Sequence, residues 1–178
     1  SAAMSTLVLS PQLVQILEAA SQLVDVTDSA ALLLVVEQRL DWSRLRDLLG
    51  TRTVLIASDD ESHLVGVADH GMSRIMIDVT GLPVHERLTQ ALLECVAEDK
   101  IGPESQVVAA YSGFEAGTVD SVSVLRLTEH LGQLTSRDLR NLDTKVPLET
   151  LKVVVDMAVE IGREGREGKP VGTLFVVG

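Results

Sequence analysis

The chain has 178 residues, of which 46% are apolar and 2% aromatic, and its formal net charge is −11. That length suits one ordinary domain plus an extension, with enough apolar residues for a sizeable core. The acidic balance argues against a nucleic-acid or anionic-membrane partner, both of which need a basic footprint, and the few rings leave little to stack on bases.

Residues 1–4 read as a tag remnant, Ser1-Ala2-Ala3, ahead of an initiator at Met4. The first helix is expected over 11–24, with Ser10 as its cap and Pro11 in the first helical position. Five short Val/Ile/Leu-rich runs follow as expected strands: 32–37, 53–58, 74–79, 106–112 and 121–127. The first two are almost continuously apolar, as strands buried on both faces are. Between them lie helical patterns: 41–49 capped by Asp41 and ended by Gly50, 63–69 ended near Gly71, and 83–98 with Leu88, Ala91, Leu92 and Cys95 on one face.

Strand–helix alternation predicts an α/β fold of three layers around a mostly parallel five-stranded sheet. Only residues 113–120 join the last two strands, too few for a crossover helix, so the fifth strand is expected to return antiparallel at the sheet edge. The domain is expected to span 5–127, with a polar connection over 128–146. Residues 147–178 then supply a long helix, a Gly/Arg/Glu hinge and one apolar strand. A helix, a hinge and a strand open a domain without closing it, so the chain reads as the front part of a longer protein.

The acidic turn Ser58-Asp59-Asp60-Glu61-Ser62 stands where a receiver domain holds Mg²⁺, but Leu125-Arg126-Leu127 offers no partner Lys. Asp59 and Asp60 are better read as the solvated first turn of the next helix. His63, His70, His85 and His130 lack metal-ligand spacing, and no nucleophile-elbow or phosphate-loop motif occurs. Cys95, the only cysteine, reads as a core thiol and permits no internal disulfide, which fits a reducing cytoplasm. No apolar run approaches the roughly 20 residues needed to span a bilayer. Nothing pairs a nucleophile with a base or gathers metal ligands, so the chain itself is expected to be inactive, with no cofactor and no metal. The most site-like segment is the loop after the fourth strand, which reads first as a hairpin turn and second as a ligand site. Ser112, Gly113 and Thr118 there, with Ser58 at the end of the second strand, are the expected ligand-binding residues.

Two segments resemble known families. Glu86-Arg87-Leu88-Thr89-Gln90-Ala91-Leu92, with Val107-Val108-Ala109-Ala110-Tyr111-Ser112-Gly113-Phe114-Glu115-Ala116-Gly117-Thr118, is similar to the end of the pyruvate kinase C-terminal domain. The resemblance implies the same sheet with its closing antiparallel strand, and a phosphometabolite sensor as one reading. In this chain Phe114 stands for the family's Trp and Ala116 for its Pro. The family's phosphate-binding stretch after the first strand reads Glu37-Gln38-Arg39-Leu40-Asp41-Trp42-Ser43, whose two carboxylates oppose a phosphate ester.

The C-terminal residues Ala158-Val159-Glu160-Ile161-Gly162-Arg163-Glu164-Gly165-Arg166-Glu167-Gly168-Lys169-Pro170-Val171-Gly172-Thr173-Leu174-Phe175-Val176-Val177-Gly178 look like the opening of a diadenylate cyclase domain. The resemblance implies a parent that makes cyclic di-AMP from two ATP, with Mg²⁺ or Mn²⁺. That family's Asp-Gly-Ala and Arg-His-Arg signatures do not occur here. The expected role is therefore non-catalytic: assembly and regulation through self-association, or the sensing of a small-molecule effector.

Overall fold

The computed structural model describes residues 8–131. The chain opens with α1 (Pro11–Thr27), whose cap Ser10 accepts the Leu13 N–H at 3.1 Å. Then come β1 (Ala31–Val35), α2 (Trp42–Leu49) capped by Asp41, and β2 (Val54–Ser58). Two short 3-10 turns, Glu61–Leu64 and Ala68–His70, lead to β3 (Ser73–Met76). The described part ends with α3 (Val84–Ala97), β4 (Gln106–Tyr111), β5 (Ser121–Arg126) and α4 (Leu127–Leu131).

The sheet order is β3-β2-β1-β4-β5. Neighbours pair in parallel except β4 with β5, an antiparallel hairpin that sets Val108 opposite Val124. Alternation along each strand sends side chains to two cores. Leu32 and Leu34 of β1, Ile56 of β2 and Val108 of β4 meet α1 and α2 through Leu17, Ala20, Leu45 and Leu49. Leu33, Leu55 and Ala109 face the other way, onto Leu88, Ala91 and Leu92 of α3. The three-layer, mostly parallel sheet with an antiparallel edge is thus present.

The chain runs outward from β1 to β2 to β3 with its connections on the α2 face. It then returns past β1 to β4 through α3 on the opposite face. Crossovers of one hand must change face when the direction along the sheet reverses. The reversal leaves a switch point between the ends of β1 and β4.

The helix expected over 63–69 is a correction: it is two separate 3-10 turns. Val65 is extended (ψ 126°), and Gly66 has φ +88°. The Trp42 indole Nε1 donates to the Val65 carbonyl at 2.8 Å, taking an acceptor that a continuous helix would have used. The space over Gly66 is closed as well, since a Cβ there would lie 3.2 Å from Trp42 Cδ1. The third strand ends at Met76, short of the expected 79, although the Ile77 N–H still reaches the Ser58 carbonyl at 2.8 Å.

At the far end, α4 begins at Leu127, which is fully buried against the α3 face. The expected tag remnant, most of the 128–146 connection, and the helix and strand expected over 147–178 lie outside the described residues. Among the described residues no helix is long and apolar enough to cross a membrane.

Cys95 is fully buried on α3, and that burial, with Glu98 and Glu94 nearby, pushes its thiol up to about 12. The thiolate is therefore scarce at neutral pH. In Ellman's assay the native protein should react far more slowly than the same protein in denaturant; equal rates would mean that the α3 face is open. Leu33→Ala, in the middle of the central strand, should lower stability by about 2–5 kcal/mol in urea unfolding.

Candidate functional site

Open α/β sheets bind ligands at the carboxyl ends of their strands, where the order reverses. Here a cleft of about 210 Å³ lies at that place. Val36, Glu37 and Gln38 enter it from the end of β1. The β4–β5 loop supplies Ser112, Gly117 and Thr118, and the start of α1 closes it with Ser10 and Gln12. Gln12 Nε2 donates to the Val119 carbonyl at 3.4 Å, linking the helix to the loop across the cleft.

Glu37 organises the floor. Its Oε1 accepts from Arg87 Nη1 at 2.9 Å, and its Oε2 accepts the N–H of Gly117. One carboxylate therefore ties β1 to α3, 50 residues away, and to the hairpin loop, 80 residues away. Both partners of the ion pair are mostly shielded, with 20% of the Arg87 side chain and 27% of the Glu37 side chain exposed. That shielding reduces screening by salt and adds a desolvation cost for both groups.

Asp120 organises the loop. Its Oδ1 accepts the Gly113 N–H at 2.7 Å and the Ser121 hydroxyl at 2.8 Å. Its Oδ2 accepts the N–H groups of Glu115 at 2.9 Å and Phe114 at 3.2 Å. Successive backbone N–H groups make a concavity for an anion, and here the chain's own carboxylate fills it. These N–H bonds, led by those of Glu115 and Gly113, hold the Asp120 carboxyl at about 2, below its ordinary 3.8. A Cβ at Gly113 would push against the Ser121 side chain and displace the hydroxyl that Asp120 accepts. Phe114 is left at the loop tip, 96% exposed.

The four expected site residues separate. Ser112 and Thr118 line the cleft. Gly113 belongs to the same loop, but its N–H is spent on Asp120. Ser58 is fully buried at the end of β2 and does not line the cleft. The outward run of β1 to β2 places the switch point beside β4, not beside β2.

Ser58 has a different arrangement. Its Oγ lies 2.9 Å from His63 Nδ1, and His63 Nε2 lies 3.6 Å from Asp60 Oδ2. The expectation that nothing pairs a nucleophile with a base is therefore corrected in its geometry: a Ser–His–Asp set exists. It does not present a nucleophile, because Ser58 Oγ is buried and also accepts the Asp60 N–H at 3.2 Å. The set is a turn clasp, with Asp60 capping the first 3-10 turn through Ser62. Asp60 and its neighbours gather no metal-binding group among the described residues.

Glu37 and Gln38 line the cleft but were not among the expected ligand-binding residues. The available signal was a carboxylate and an amide directly after the apolar run 31–36, at the end of the strand that precedes the first crossover.

Comparison with known proteins gives two matches. A family model described as "Probable sensor domain DacZ_P" matches residues 12–135. A diadenylate cyclase of Methanocaldococcus jannaschii is 46% identical over 63 residues, covering 35% of this chain and 20% of that protein. The match thus spans about a fifth of the relative's length.

The Asp120 clasp has a pH signature. A carboxyl lowered in the folded state stabilises above its ordinary value, and that contribution is lost as pH falls through about 2. In an acid titration followed by NMR, the amide signals of Gly113 and Glu115 should move with a midpoint near 2, not near 3.8. Asp120→Asn should raise hydrogen exchange at these amides roughly tenfold at neutral pH, as a charge-assisted bond is replaced by a neutral one.

Proposed function

This chain belongs to the DacZ_P family, and from that premise we propose that it is a non-catalytic sensor domain controlling a diadenylate cyclase. In this reading the ligand occupies the cleft between β1 and β4, and the response passes to the cyclase domain of a longer parent. The parent would make cyclic di-AMP from two ATP with Mg²⁺ or Mn²⁺, the chemistry that the C-terminal resemblance implies.

The observation that carries the reading is the cleft at the switch point, floored by a carboxylate that three elements share. Among the described residues, no side-chain partner holds the hydroxyls of Ser112 and Thr118 or the amide of Gln38, so they remain open to a ligand. A ligand that engages Glu37 or the loop bears at once on α3 through Arg87. That is the differential contact a ligand needs in order to shift a conformational equilibrium.

A phosphate ester, the ligand type of the pyruvate kinase C-terminal reading, is disfavoured. Among the described residues the cleft lining contains no Lys, Arg or His, and Glu37 stands in it. The loop N–H groups that could cradle a phosphate are already held by Asp120 and Glu37.

Self-association is the second role, favoured by Phe114. An almost fully exposed ring on a loop clasped by Asp120 is a rigid apolar knob suited to a protein contact. In a cyclase that joins two ATP-bearing sites, a sensor that also sets subunit geometry would act directly on rate.

The test compares the full-length parent with a version lacking residues 1–145. Cyclic di-AMP formation is measured with and without a low-molecular-weight filtrate of cell extract. The intact protein should change its rate by about fivefold or more, the range of ordinary allosteric coupling, while the truncated protein should not respond. Equal responses of the two proteins would remove the sensing role.

A further inference from the structure

We propose that the cleft takes a small organic amine, bound as its ammonium ion against Glu37 with its polar body against Ser112, Thr118 and Gln38. The inference rests on the sensor reading above and adds the charge and size of the ligand.

Charge is the first argument. Among the described residues, the only ionisable side chain lining the cleft is Glu37. Its cationic partner Arg87 sits behind it on α3 and is not part of the lining. A carboxylate offers about four acceptor positions on its two oxygens. Arg87 takes one and the Gly117 N–H another, so acceptor capacity is left for the cleft. The two protein bonds fix the carboxylate in place before any ligand arrives, which lowers the ordering cost of recognition. An anion would enter a site with no cationic side chain and a carboxylate in its wall, and would lose hydration without a partner. The chain's net charge of −11 acts in the same direction, concentrating cations near the surface and repelling anions.

Size is the second argument. About 210 Å³ falls below the roughly 300–1,000 Å³ of sites for drug-sized ligands. Among the described residues no aromatic side chain lines the cleft to stack a base. A nucleotide is therefore a poor fit, and a compact amino alcohol, amino sugar or diamine is a good one. The hydroxyls of Ser112 and Thr118 and the Gln38 amide suit hydroxyl or amine groups on such a molecule, and the aliphatic wall of Leu13 and Val36 suits its carbon skeleton.

The site also carries a means of response. An ammonium on the free acceptor positions of Glu37 joins the carboxylate that already holds the loop at Gly117 and α3 at Arg87, so binding bears on both.

The test uses the full chain, isotope-labelled, with ethanolamine, glucosamine and putrescine, each beside its N-acetyl form, together with inorganic phosphate. NMR signals of Ser112, Gly117 and Thr118 report binding. At least one amine should move these signals at millimolar concentration, and its mono-N-acetyl form, or for putrescine the diacetyl form, should bind at least tenfold more weakly. Glu37→Gln should weaken the amine by roughly tenfold to a hundredfold, the effect of losing a charged hydrogen bond. If that variant fails to fold, the comparison of amine with N-acetyl form in the wild-type chain decides alone. Equal binding of the N-acetyl forms, or preferred binding of phosphate, overturns the amine assignment and leaves the cleft a ligand site. If the amines do nothing while a metabolite filtrate moves the same signals, the amine assignment falls and the sensor reading stands. Silence from both removes the two together.

Discussion

Everything in this fold depends on the burial of β1. Its residues from Ala31 to Leu34 are fully inaccessible, and Val35 and Val36 nearly so. The strand has sheet neighbours on both edges and helices over both faces. Such a strand leaves no room for polar side chains within it, so the first polar residue after it, Glu37, emerges where the layers end. The position of the cleft follows from that one transition. So does the path of the chain, because the outward run on one side of β1 and the return on the other separate the ends of β1 and β4.

Two carboxylates then do work that an external anion does in many strand-end sites. Asp120 saturates the turn of the hairpin loop, and Glu37 holds the loop's far side to the end of β1. The loop is thus ordered without a ligand, at the cost of placing negative charge where the backbone would otherwise attract it. The two holds differ in reach. Asp120 closes bonds within a few residues of itself, whereas Glu37 joins segments distant in sequence. Local order in the loop can therefore persist while its attachment to β1 and α3 changes.

Much of this architecture was legible in the sequence because its strands are unambiguous. The runs around Leu33 and Ile56 read as doubly buried strands and the short 113–120 link as a hairpin, and both are present. Ser10 and Asp41 cap as their residue types imply. The segment 63–69 was not legible, because what breaks it is Trp42, a side chain more than twenty residues earlier that takes the Val65 carbonyl. The cleft was half legible. Ser112 and Thr118 could be chosen from loop chemistry alone, but Ser58 was chosen by a strand-end rule that does not say which neighbour β2 has. Glu37 was visible as an obstacle to phosphate and not as a tie, since its partners Arg87 and Gly117 are far along the chain.

Trp42 is also the only tryptophan in the chain. It is 3% exposed, its indole N–H is engaged with Val65, and it belongs to the same core as Val36 and Leu40, two residues of the cleft lining. The protein therefore contains a single indole, which can be excited apart from Tyr111, in the core that the cleft shares. Its emission comes from one site and needs no deconvolution. A shift in that emission without a loss of helical circular dichroism would separate local repacking of this core from unfolding of the domain.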